Sequence, residues 1–251
     1  MRISVITPCL NSVAYLAETL ASVARQDWHE IEHLILDGGS TDGSVDMIRA
    51  FAAGHPAVRW WSEPDNGIGD AMNRGAARAK GDLVAFLHAD DCYPGPSVLS
   101  TVVARMATVP DAVWLTGGLR EIDGQGNLLR ELSVRRYSYH RLLRNNIVFH
   151  PATFVNRNAL LTAGGFDTGL RYAMDYDLWL RLGAVSPPVT LDCVLACFRV
   201  HSGSRSTRNR LAALEEEYQV RQRFLTGQWQ RGLHSCYQIL RRACAARASH
   251  R

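Results

Sequence analysis

Apolar and polar positions follow two periods along the first half of the chain. Ile3 to Thr7 is a short β-branched run, punctuated by Pro8 and Asn11. Tyr15 to Arg25 then sets Leu16, Leu20 and Val23 on one side, the spacing of a helix. His33 to Leu36 predicts a second strand, which runs into Asp37-Gly38-Gly39-Ser40-Thr41-Asp42-Gly43. Ser40 or Thr41 is the expected cap of a helix carrying Val45, Ile48, Arg49 and Phe51. Val58 to Trp61 predicts a third strand, and Gly69 to Ala79 an alanine-rich helix. Leu83 to Leu87 is apolar on both faces, as a central parallel strand is. Pro96 opens a helix that reaches about Thr108, and Ala112 to Thr116 resembles a fifth strand.

Strands alternating with helices predict an α/β fold with right-handed crossovers and a mainly parallel sheet. Ligands bind such sheets at the carboxyl ends of the strands. Four polar loops fall there: Thr7 to Asn11, Asp37 to Gly39, Ser62 to Gly67, and His88 to Asp91. The second half is less regular. Asp123 to Asn127 reads as a turn or hairpin tip, Gly164 to Asp167 as a turn, and Val194 to Val200 as a strand. Asp175-Tyr176-Asp177 reads as a helix start with acids in its first turn. Two amphipathic helices follow Thr207, one carrying Leu211, Leu214, Tyr218 and Leu225, the other Trp229, Leu233, Tyr237, Leu240 and Cys244.

Composition narrows the class. A chain of 251 residues that is 47% hydrophobic can bury a core and is not disordered. No apolar run approaches the ~18 residues of a bilayer span. Met1 to Ile6 leads straight into a strand pattern without the marks of a signal peptide, which predicts a cytoplasmic protein. The six cysteines are scattered without a CxxC pair and read as free thiols. Charge is uneven. Between Arg205 and Arg251 ten arginines face three glutamates, so that segment carries +7 and the remainder −3 within the whole-chain +4. The basic tail fits either peripheral docking on an anionic membrane or packing on the core with a solvated basic face. No reading motif accompanies the charge, so nucleic acid is not an expected partner.

The candidate chemistry is acidic. Asp90 and Asp91 end a buried-type strand, where adjacent carboxylates repel unless solvated or neutralised. They fit a hard divalent cation, or a solvated turn with Asp91 capping the next helix. Asp37 beside Gly38 offers an acceptor for a nucleobase or ribose at a place of close backbone approach. No GxGxxG fingerprint and no phosphate loop is present. Asp175 and Asp177 point to different sides of a helix, so one can face a cleft while the other pairs with Arg181.

In order and spacing these stretches resemble the family 2 glycosyltransferases of the GT-A fold. The matching segments are Ile6 to Asn11, Asp37 to Ser44, Ser62 to Gly75, Ala79 to Asp82 with His88 to Asp91, and Gly165 to Asp167 with Met174 to Arg181. The resemblance implies a Rossmann-like nucleotide-diphospho-sugar transferase fold with a C-terminal helical extension. It implies a catalytic domain over 1–205, with a nucleotide-sugar-binding half (1–117) and an acceptor-side half (118–205), and a basic tail over 206–251. By position, Thr7, Pro8, Asn11, Asp37, Gly38, Asp65, Asp70, Asn73, His88, Ala89 and Asp90 would line the nucleotide-sugar site. Asp90 and His201 would hold Mg2+ or Mn2+. Asp175 would be the catalytic base, with Asp91, His150 and Asp177 on the acceptor side. His88 stands where the family often has Asp, and Met174 where it often has Glu. The implied activity moves one sugar from a nucleotide-diphosphate donor to a glycan or lipid-linked acceptor with inversion, in cell-surface polysaccharide synthesis. The processive Gln-x-x-Arg-Trp motif is absent. The rivals are a nucleotidyl- or phosphotransferase and a non-catalytic subunit with a decayed site. The sequence sets no oligomeric state.

Overall fold

The computed structural model describes residues 1–134, 136–201, 203, 209–227, 229, 231–232, 234–235, 237–239 and 241–242. The expected boundary at 205 and the tail positions Leu233, Leu240 and Cys244 lie outside them. The elements run β1 (Ile3–Cys9), α1 (Val13–Ala24), β2 (Ile31–Asp37), α2 (Ser44–Ala53), β3 (Val58–Ser62), α3 (Ile68–Arg78), β4 (Leu83–Phe86) and α4 (Val98–Ala107). Then come β5 (Trp114–Ile122), β6 (Leu128–Leu132), α5 (Tyr139–Arg144), a 3-10 turn (His150–Ala152), β7 (Thr153–Asn156), α6 (Arg157–Thr162), α7 (Met174–Val185), β8 (Val189–Arg199) and α8 (Arg210–Phe224).

One sheet of eight strands has the order β3-β2-β1-β4-β7-β5-β6, with β8 beside β5. β1, β2, β3 and β4 pair in parallel, and β8 runs parallel to β5. β7 is antiparallel to both β4 and β5. Side chains alternate across the sheet. Ile6, Leu34, Leu36, Val84 and Phe86 meet α3 and α7 on one face. Ile3, Val5, Leu83, Ala85 and Leu87 meet α4 on the other. β1 and β4 are buried on both faces, and β2 nearly so, which is why they read as near-continuous apolar runs.

The second half departs from expectation in particulars. The strand foreseen over Ala112 to Thr116 extends to Ile122, and β6 returns from it across the Asp123–Asn127 turn. β7, α5 and α6 carry no clear period because each spans only four to six residues. Helix α2 is entered through Gly43 at φ 98° and not through Ser40 or Thr41. Asp42 accepts from Ser44 N and Val13 N instead, and Ser40 donates to Asp37. Trp179 of α7 stacks on Trp114 of β5 with ring centroids 5.6 Å apart, and both are fully buried. That contact fixes α7 to the sheet. Among the described residues no helix is long and apolar enough to cross a membrane.

Candidate active site

The loops after β1, β2 and β3 end in register, with Cys9 opposite Asp37 and Asp37 opposite Ser62. Asp37 is 2% exposed, and its carboxylate accepts four hydrogen bonds. Gly39 N and Ser40 N donate at 3.0 Å, Ser62 Oγ at 2.7 Å and Ser40 Oγ at 2.5 Å. Asp37 therefore holds the shape of its own loop. Beside it, a Cβ on Gly38 would fall 2.5 Å from Asp65 Oδ2, so a larger residue there would push that carboxylate aside. Asp65 also accepts from Gly67 N at 2.8 Å. Leu36, Asp37, Trp61, Glu63, Asp65, Ala71 and Arg74 line the crevice formed here.

The other donor-side candidates divide by role. Thr7 is fully buried and its hydroxyl lies 2.9 Å from His33 Nε2. Pro8 is buried opposite Leu36. Asn11 takes φ 50° and accepts from Thr41 N at 2.9 Å, tying the first loop to the second. Asp70 accepts from Asn66 N at 3.1 Å in the first turn of α3. Asn73 grips Phe166 from both sides, accepting from its N and donating to its O at 2.8 Å. Asn11 and Asn73 tie distant loops together, and Asp70 braces the turn that leads into α3.

The cluster at the end of β4 is different in kind. Ligand atoms of His88, Asp90 and Asp91 lie within 4.8 Å of one another. His201 Nε2, from beyond β8, is 3.0 Å from Asp90 Oδ2. Ala89 between them is buried. Asp91 is buried and accepts from Arg199 N at 3.0 Å. Burial and the neighbouring Asp90 hold its pKa well above the usual carboxylate range. Arg199 is 1% exposed and does most of the holding. It donates to Asp90 O and Asp123 O at 3.0 Å, pairs with Glu18, and lies over the Tyr15 ring. The cluster offers one imidazole and carboxylate oxygens, with His201 beside Asp90, and this donor set fits a divalent cation such as Mn2+.

The second half supplies a titratable group to the same edge. Met174 Sδ would meet a Cβ on Gly69 at 3.2 Å, so α7 starts against the start of α3. Asp175 follows, accepting from Asn146 Nδ2 at 3.0 Å and Tyr176 N at 2.7 Å. Desolvation outweighs those two bonds and pushes its carboxyl up to about 6. His150 lies between, its ring 4.9 Å from His88 and 6.0 Å from Trp179. Among the described residues its ring nitrogens have no hydrogen-bond partner, and burial followed by the nearby His88 keeps its pKa well below the ordinary value. Asp177 turns away. It is buried and bound by Arg181 at 2.8 Å and Arg223 at 3.4 Å, so it braces α7.

Comparison with known proteins decides the family. The profile described as glycosyl transferase family 2 matches residues 4–168. The chain belongs to that family. An uncharacterized glycosyltransferase of Mycobacterium tuberculosis is 35% identical over 201 residues, covering 78% of this chain and 74% of that protein. A PGL/p-HBAD biosynthesis glycosyltransferase of Mycobacterium bovis is 30% identical over 210 residues, covering 81% and 79%. Escherichia coli chondroitin synthase is 31% identical over 187 residues, which is 74% of this chain but 27% of the synthase. In fold, S. aureus TarS 1–349 in complex with UDP-GlcNAc superposes with TM-score 0.72 at 18% identity, covering 95% of this chain and 70% of TarS. The Pyrobaculum calidifontis mannosyltransferase PcManGT, in complex with GDP-Man and Mn2+, gives 0.71 at 21%, covering 99% and 74%.

The glycosyltransferase thus has the GT-A architecture, a mixed α/β fold around a mostly parallel sheet. Two site residues escaped sequence reasoning. Asn146 reaches Asp175 from 29 positions away, and Arg199 reaches Asp91 from 108. The Arg-x-His spacing of Arg199 and His201 was the available signal for the second. Nothing local marks the first.

Proposed function

We propose that this glycosyltransferase moves one sugar from a nucleotide-diphosphate donor to a hydroxyl of a glycan or lipid-linked acceptor, by single displacement with inversion. The observation that carries the reading is Asp175. It is a carboxyl withdrawn from water, with a pKa near neutral, at the edge where the β1 to β4 loops end. Asp175 takes the proton of the acceptor hydroxyl as that oxygen bonds to the anomeric carbon. The bond from that carbon to the donor oxygen breaks, and its electron pair leaves with the diphosphate. Asn146 orients the Asp175 carboxylate through its Nδ2 donor. His88, Asp90 and His201 would hold a divalent cation, Mn2+ or Mg2+, whose chemistry here is to offset negative charge on the departing diphosphate. Arg199 keeps the Asp90–Asp91 turn in place from β8. In this reading Asp37 and Asp65, at the ends of β2 and β3, face the nucleoside of the donor.

Support for the donor class comes from UDP-GlcNAc in TarS and GDP-Man with Mn2+ in PcManGT. Relatives named for chondroitin synthesis and for PGL/p-HBAD biosynthesis support an acceptor in a surface glycan or glycolipid. Exposed Trp229 and Ile239, in a segment of net positive charge, support contact with an anionic membrane. The test is a panel of nucleotide sugars and acceptors with Mn2+ or Mg2+, following release of nucleoside diphosphate. Product anomeric configuration by NMR should be opposite to that of the donor. Retained configuration, or release of pyrophosphate in place of the nucleoside diphosphate, would sink the reading.

A further inference from the structure

Helix α7 carries Asp175 but brings no cap of its own. Ala173 stands at its N-cap and offers no side-chain acceptor. The backbone N–H groups of Arg171, Tyr172 and Ala173 converge on one carboxylate, that of Glu216 in α8. Arg171 N donates to its two oxygens at 2.9 and 3.1 Å, Tyr172 N to Oε2 at 2.5 Å, and Ala173 N to Oε2 at 2.7 Å. Successive N–H groups around one anion form a nest, and a negative charge there also complements the helix dipole.

A second grip lies two turns further along α8, on the same helix face. Arg223 pairs with Asp167 at 2.9 Å and with Asp177 at 3.4 Å. Arg181 holds Asp177 in turn and donates to Gly165 O at 2.7 Å. Arg221, fully buried, anchors α8 by donating to Arg144 O. The segment 167–177 is thus clasped from its start, its middle and its end. Both clasping side chains come from a helix that begins 42 residues after the family profile ends at 168.

We infer that Glu216 is a positioning residue for Asp175, and that α8 belongs to the catalytic unit instead of to a dispensable basic tail. The inference rests on the reading of Asp175 as the base. Glu216 fixes the three amides that immediately precede Met174 and Asp175. Those amides set where α7 starts, and hence where the Asp175 carboxyl sits relative to the acceptor oxygen. The donor crevice, built on β2, β3 and α3, does not touch Glu216.

The experiment uses the full chain with Glu216→Ala and Glu216→Gln. Glu215→Ala serves as a control, because among the described residues Glu215 pairs with exposed Arg242 and not with the α7 region. For Glu216→Ala we expect kcat to fall roughly 10²-fold, the cost of an ångström-scale misplacement. Nucleoside diphosphate affinity by calorimetry should stay within about twofold, and amide exchange should quicken over 171–176 alone. Glu216→Gln, which keeps one carbonyl acceptor, should fall between Ala and wild type. A kcat near wild type with 171–176 exposed would overturn the inference. So would loss of nucleotide affinity together with thermal stability in both variants, since Glu216 would then hold the whole fold. Asp175→Asn separates the two claims: normal turnover there removes the base itself, whatever Glu216 does.

Discussion

Asp37 and Asp175 stand at the same edge of the sheet and are held in opposite ways. Asp37 sits at the end of β2, and every donor to its carboxylate comes from its own loop or the adjoining strand end. Asp175 sits at the start of α7, with one donor from its own turn and one from Asn146, in a setting that disfavours its charge. A carboxylate saturated with donors is a building block. One with few donors and little water is poised to exchange a proton near neutral pH. The same contrast separates the two halves of the molecule. The β1 to β3 loops satisfy their own polar groups, whereas Asp175, Asp90 and Asp91 take partners from across long stretches of chain.

The largest effect should come from Asp175→Asn. We expect kcat to drop ~10² to 10⁴-fold with donor KM unchanged. Turnover within a few-fold of wild type would erase the contrast with Asp37. The pH profile of kcat should show the same group. Asp175 acts as a base only when ionised, so activity should fall about tenfold per unit as pH drops below about 6. Its linkage to stability has the opposite sign. The raised folded-state pKa favours the protonated folded form, so that contribution is present below the unfolded value and is lost as pH rises through about 6. An acid limb that persists unmoved in Asp175→Asn would assign it to another group.

Asp37→Asn should act on the frame. Replacing a carboxylate that organises four hydrogen bonds is expected to cost ~1.5–3 kcal/mol of stability. Donor KM should rise while kcat with saturating donor changes little. Denaturant unfolding and steady-state kinetics would check this, and a kcat loss like that of Asp175→Asn would break the comparison. The smallest effect concerns His88. An imidazole donor suits Mn2+ and later transition metals better than Mg2+. The wild type should favour Mn2+, and His88→Asp should narrow the Mn2+/Mg2+ ratio of half-saturating concentrations by about tenfold. Calorimetry of each metal with nucleoside diphosphate would measure it, and an unchanged ratio would place His88 outside the metal's ligands.

β1, β2 and β4 were readable because parallel strands buried on both faces must be apolar, β3 from its short Val-Arg-Trp-Trp run, and α1 to α4 because helices over a sheet must be amphipathic. The polar loops at their ends were readable for the same reason, since polar residues collect where the pattern breaks. β6, β7, α5 and α6 were not, because four to six residues hold too few periods to declare themselves. The tail was open between membrane and core. Leu214 and Val220 are buried, and Glu216 and Arg223 bind the α7 region, so its first helix packs on the core.

By itself, the amino-acid sequence determined the α/β alternation, the sheet edge at which the polar loops gather, and the family, through motifs that keep their order. Only the tertiary structure decided which acids are saturated with donors and which are withdrawn from water. Those roles are set by desolvation and by partners far along the chain: Asn146 for Asp175, Arg199 for Asp91, His201 for Asp90, and Glu216 for the start of α7. A carboxylate has the same letter in either role, and its pKa depends on the donors and water that folding leaves around it.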